Sequence, residues 1–220
     1  MLSTESVWNR KELVGAEISA TQYNLTIGLV LAWGFGVNWA MVTQIDPQVF
    51  LSIPSLAFGI AYFASAIAGM MIYQRSDNPV VSFVGYNLVV LPLGVSLARL
   101  LPFVDPVVIG QAFQATAGVV MIMTSVSTMK PQFFLKLGST LFVAFIAAFI
   151  VEVGFIIFSG RTPAIFDWIF VLIFSGYVGY DWARAQSLPK TLDNAVDCAA
   201  ALYVDIVILF IRMIQLFSRR

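Results

Sequence analysis

Seven stretches of this sequence, 23–42, 51–73, 79–101, 106–128, 133–158, 164–180 and 194–217, come close to the roughly 20 apolar residues that cross a bilayer as a helix. In hydrocarbon every backbone polar group needs an internal partner, so segments of this kind are read as helices. Short turns separate them: TQIDPQ, YQRSDNP, LPFVDP, MKPQ and SGRTP. Pro79, Pro106 and Pro163 stand near helix starts, where a missing N–H matters least. Pro54 and Pro92 fall inside spans and are expected to kink or locally break them. The expected organisation is a polar tail, residues 1–22, followed by one seven-helix transmembrane domain, residues 23–220.

Composition supports an all-α integral membrane protein. Charged residues make up 11% of the chain, against about 25% in a soluble domain. The formal net charge is zero, so no basic field points to nucleic acid. Cys198 is the single cysteine, which rules out an intramolecular disulfide, and there is no histidine. Any proton chemistry therefore falls to carboxylates. The first 22 residues, MLSTESVWNRKELVGAEISATQ, lack the apolar core and small-residue cleavage site of a signal peptide, so the first span is expected to be retained.

Orientation follows Lys and Arg in short loops. With the N-terminus cytoplasmic, that side holds Arg10, Lys11, Arg75, Lys130, Lys136, Arg184 and Lys190. Arg99, Arg161, Arg219 and Arg220 fall on the other side, with Arg212 in the last turns of the seventh span. The terminal SRR runs against this modest bias; a six-span variant with a re-entrant last segment would keep it inside.

Most charges sit at span ends. Asp167 and Asp197 are placed in first helical turns, where the helix dipole favours an anion, and Arg212 is expected to run outward along its helix. Three acids resist that treatment. Asp205 is the twelfth of 24 residues in the last span, roughly 16 Å deep, and an aspartate there costs about 2.5–3.5 kcal/mol on insertion. Asp181 closes the sixth span after SGYVGY, whose Gly176 and Gly179 let a neighbour approach closely. Glu152 lies about three quarters along the fifth, where it would reach the outer interface, pair with Arg161 or contact a passing cation. A protonated acid hydrogen-bonded to a neighbouring helix is the structural reading for each. The functional reading sets Asp181 against Asp205: two carboxylates in contact do not both ionise readily, so one proton is shared and released only at raised pH.

The segments GYVGYD (176–181) and AALYVDIVILFIRMIQLF (200–217) resemble the Bax inhibitor-1, or transmembrane Bax inhibitor motif, family. The family has a Tyr-Asp step at the first place and a Leu-Tyr-Leu-Asp-like step with an Ile-x-x-Leu-Phe run at the second. Here these are Tyr180–Asp181, then Leu202–Tyr203–Val204–Asp205 with Ile208, Leu209 and Phe210 following. Trp182–Ala183 stand where the family often has Thr-Gln. The resemblance implies two three-helix layers around a central C-terminal helix. It also implies an aspartate pair, Asp181 and Asp205, acting as pH sensor, and a tuning cation at the position of Arg75. The implied activity is a pH-sensitive calcium leak, with modulation of a membrane protease, without ion flux of its own, as the alternative.

Firm calcium binding takes six to eight oxygen ligands. Two aspartates fall short, so carbonyls freed near Pro54 or Pro92, plus water, would have to help, and binding at Asp181 and Asp205 is expected to be weak and transient. Calcium is then a transported ion rather than a cofactor, protons are the second ligand, and no enzyme activity is expected. An aspartyl intramembrane protease would need a Gly-x-Gly-Asp step and a Pro-Ala-Leu loop, and neither occurs. A proton-coupled transporter is a further rival. The short tails suit a bacterial inner membrane, with an endoplasmic reticulum or other organelle membrane as the alternative.

Overall fold

The computed structural model describes residues 16–219, so most of the tail, including Arg10 and Lys11, lies outside the described residues. Among the described residues there is no strand, and nine α-helices follow one another: α1 Ala20–Gln44, α2 Pro47–Leu51, α3 Ser55–Arg75, α4 Pro79–Leu100, α5 Pro106–Met129, α6 Pro131–Leu135, α7 Gly138–Ser159, α8 Ile165–Ser187 and α9 Leu192–Ser218. Six of them, α1, α3, α4 (with the 3-10 turn that follows it), α5, α7 and α9, are long and apolar enough to cross a membrane. Helix α8 is long enough, at about 1.5 Å per residue over 23 residues, but Asp167, Asp181 and Arg184 make it less apolar.

Local chemistry sets the helix starts. Ser19 and Gln22 form a capping box at α1, so the helix begins inside the segment read as tail. Asp46, Asn78 and Asp105 each accept the N–H two residues on, and each is followed by proline in the first turn. Gly160, with φ +65°, closes α7 in the left-handed conformation.

Three spans differ from the sequence reading. The second breaks at Pro54, because the residue before a proline is pushed out of the helical region; α2 is a separate short helix and α3 starts at Ser55. The fifth is also broken, at Lys136–Leu137, into α6 and α7. The sixth does not stop at Tyr180. It runs on to Ser187 and ends where Leu188 precedes Pro189.

The described residues divide into two compact units, one of residues 16–103 and 187–203, the other of residues 104–186 and 204–219. Each thus holds three long helices and one half of α9. In the first unit α3 and α4 meet backbone to backbone: a Cβ on Gly69 would stand 2.4 Å from the Gly85 carbonyl oxygen. Pro92 lies inside α4 without ending it. It has no N–H for the Leu88 carbonyl, and Ser65 Oγ of α3 donates to that oxygen instead, at 2.6 Å. The turn around Pro54 is held in the same way. Arg99 Nη1 donates to the carbonyls of Phe50 (3.0 Å) and Ile53 (2.9 Å), and its guanidinium lies 4.9 Å from the Phe58 ring. The carbonyls expected to be free for calcium near both prolines are therefore taken by Arg99 and Ser65. Deeper in this unit, Tyr86 donates to the Val30 carbonyl at 2.9 Å, and Asn38 Nδ2 donates to the Tyr203 hydroxyl.

Candidate functional site

Asp205 is the midpoint of α9, 13 residues from either end, or about 20 Å. Asp181 lies within α8, six residues before its end. Both belong to the second unit, and their side chains lie within interaction range of one another. Both are buried, 9% exposed for Asp181 and 6% for Asp205. An ionised carboxylate only accepts, so a carboxyl–carboxyl hydrogen bond needs a proton on one partner. Such a bond is open to this pair when one proton is shared, the arrangement the sequence reading of a facing pair expects. The second oxygen of Asp205, Oδ2, is buried without a hydrogen-bond partner.

Small residues and short contacts fix the α8 side. Ser127 Oγ of α5 donates to the Gly179 carbonyl at 2.5 Å. A Cβ at Gly179 would stand 2.3 Å from the Phe134 ring, and one at Gly176 would stand 2.7 Å from Leu141, so both glycines serve close approach as their sequence suggests. Trp182 Nε1 donates to Thr128 Oγ1 at 2.8 Å. One turn before Asp181, Tyr177 lies within electrostatic reach of both aspartates. One turn after it, the Arg184 guanidinium acts on Asp181 and lies 5.5 Å from the Tyr180 ring centroid.

The other sequence candidates are placed as follows. Arg75 is an exposed residue in the last turn of α3, in the first unit. The cation that acts on Asp181 is Arg184, treated in the sequence only as a loop charge. Glu152 is buried, and its partner is Arg212: both terminal nitrogens of the guanidinium reach the carboxylate, at 2.6 and 2.8 Å. Arg212 therefore does not run outward, and its side chain is only 16% exposed. Asp167 is in the first turn of α8, as expected, but it also pairs with Arg219 at 2.8 Å and stands 3.5 Å from Arg212. Asp197 is the sixth residue of α9, past the first turn, and wholly buried. The sequence did carry a signal for Arg212: it follows Asp205 by seven residues, two turns along one helix face. Among the described residues no group of three or more Asp, Glu, Cys or His side chains is arranged to hold a metal ion.

A family model described as "Inhibitor of apoptosis-promoting Bax1" matches residues 18–220. The chain belongs to the Bax inhibitor-1 family. No match was found among curated proteins. In this Bax inhibitor family protein the two segments that carried the resemblance each contribute one aspartate to the pair: Tyr180–Asp181 from α8, and Leu202 to Asp205 from α9. The match and the apolar helices together make it an integral membrane protein.

Proposed function

We propose that this protein is a passive calcium leak whose rate is set by the proton on the Asp181–Asp205 pair. The observation that carries the reading is that two buried carboxyls, Asp181 and Asp205, lie within interaction range of one another at the midpoint of α9. While the proton is bound, the pair carries one charge and holds α8 to α9. When it leaves, two anions face each other at hydrogen-bond range. At about 3 Å and an effective dielectric constant near 20, their repulsion is about 5 kcal/mol. That exceeds the roughly 1.4 kcal/mol needed for a tenfold change in an open–closed ratio. The contact then loosens or draws Arg184 closer. Arg184 supplies a tuning charge of the kind the resemblance implies for Arg75.

Two carboxylates with one unpartnered oxygen give a passing cation a weak foothold and not a firm site. No residue of α9 from 193 to 217 is exposed, which supports reading α9 as the central helix. The membrane in this reading is a bacterial inner membrane, with the N-terminus cytoplasmic.

The test is calcium entry into indicator-loaded liposomes that contain the purified protein, measured from about pH 5 to 8, a window above ordinary aspartate titration. Passive flux that varies with pH is the expected result. Flux that runs only against a proton gradient would make the protein a coupled transporter. A flat zero would leave modulation of a membrane protease as the surviving reading.

A further inference from the structure

A second set of charges lies in the same unit, some distance from the aspartate pair. Asp167 precedes Asp181 by 14 residues of α8, about 21 Å, and Arg212 follows Asp205 by seven residues of α9, about 10 Å. Arg212 grips Glu152 of α7 with two nitrogens and shares one of them with Asp167 of α8. Arg219 closes the other side of Asp167 and donates to the Thr162 carbonyl at 2.8 Å. The two arginines balance the two acids. The Arg212 guanidinium also lies 3.9 Å from the centre of the Phe170 ring. Phe170 stacks on Phe174, and Phe174 touches Tyr177, the neighbour of the aspartate pair. An aromatic column thus runs between the charge set and the pair.

We infer that Glu152, Asp167, Arg212 and Arg219 form an ionic lock that holds α7, α8 and α9 together and closes this unit's end of the cation path. The inference rests on the proposed leak and adds a second barrier to it. Its logic is energetic. A buried ion pair stabilises a fold no better than apolar residues of the same size, but losing one partner is strongly unfavourable. Mere cohesion would be served by leucines. Charges differ in that water can solvate them once they separate, so an open state is accessible as well as a closed one. A guanidinium bound by two acids and one ring has a single closed position.

The test uses three full-length variants in the liposome assay. Glu152→Gln and Arg212→Gln each leave one charge without its bidentate partner, and each is expected to raise calcium flux about fivefold or more at every pH with the pH profile kept. Glu152→Leu/Arg212→Leu removes both charges and fills the space with apolar groups, so its flux is expected at or below that of the wild type. Lower flux in Glu152→Gln would make Glu152 a cation ligand and overturn the lock, and so would unchanged flux in both single variants. A second measurement does not depend on flux. Spin labels on cysteines at the exposed Ser159 and Ser218, in a Cys198→Ser background, report the spacing of the α7 and α9 ends. Glu152→Gln is expected to lengthen and broaden that distance. An unchanged, narrow distribution overturns the lock, whereas a wild type that passes no calcium overturns only the leak.

Discussion

Replacing Asp205 with asparagine removes one of the pair's two ionisable groups and keeps its shape. The amide can still donate to Asp181, so the contact between α8 and α9 persists, but a second negative charge no longer appears at any pH. In the wild type the gross repulsion after proton loss is about 5 kcal/mol. Arg184, one turn from Asp181, offsets part of it. If about 1–2 kcal/mol survives, the open–closed ratio moves roughly five- to thirtyfold. The same energy shifts the melting temperature by several degrees, at about 2–4 °C per kcal/mol for a chain of this length. Wild-type flux and melting temperature should therefore both change between about pH 5 and 8, a range above ordinary aspartate titration. Asp205→Asn should flatten both curves, and Asp181→Asn should do the same. The double variant should match either single one, because the two acids titrate as one unit and their effects do not add. If both single variants keep the wild-type profile, the pair is not the sensor and the reasoning fails.

Arg184→Gln removes a charge that favours the doubly ionised pair, so the flux–pH curve should move to higher pH with its amplitude kept; an unmoved midpoint would show that Arg184 does not tune the pair. Ser65→Ala should lower stability by about 1–3 kcal/mol, the cost of a buried carbonyl left unsatisfied, and by much less in a Pro92→Ala background, where the helix regains its own donor; equal losses in both backgrounds, read by thermal melting in detergent, would refute the account of Leu88. Gly69→Ala should destabilise the first unit by about 2 kcal/mol or more, since its Cβ would stand 2.4 Å from the Gly85 oxygen, and an unchanged melting temperature would show that α3 and α4 have room to part.

The features legible in the sequence were those that one segment decides alone. Asn78–Pro79 and Asp105–Pro106 announce helix starts because the cap and the proline act within two residues. Asp205 announced itself because a lone acid at the centre of an apolar helix is costly and needs a partner. Other features depended on residues far away in the chain. Pro54 precedes a new helix and Pro92 lies inside one, and near each the carbonyls are taken by a side chain from elsewhere in the chain. At Pro92 it is a serine 23 residues from Leu88, and at Pro54 an arginine 46 residues from Ile53. The break between α6 and α7 has no proline of its own; it occurs where Gly138 meets the Tyr180 ring, 42 residues on. Glu152 and Arg212 are 60 residues apart, and neither segment names the other.

The two polar commitments of α9 bear on how the helix enters the membrane. Asp205 at its centre costs about 2.5–3.5 kcal/mol when unpartnered, and Arg212, six residues from the helix end, costs less because it is shallower. Neither side chain finds its observed partner on α9 itself. Asp205 faces Asp181 of α8, and Arg212 is held by Glu152 of α7 and Asp167 of α8. Those helices precede α9 in the chain, so the partners are in place before α9 has to be accommodated. An apolar α9 would insert at lower cost but could slide or rotate against its neighbours, since lipid and leucine are alike to it. A helix with an acid and a guanidinium two turns apart on one face has a single register in which both are satisfied. In the proposed leak the same two residues therefore set where α9 sits and, through the proton on one and the ion pair of the other, give it two separate means of being moved.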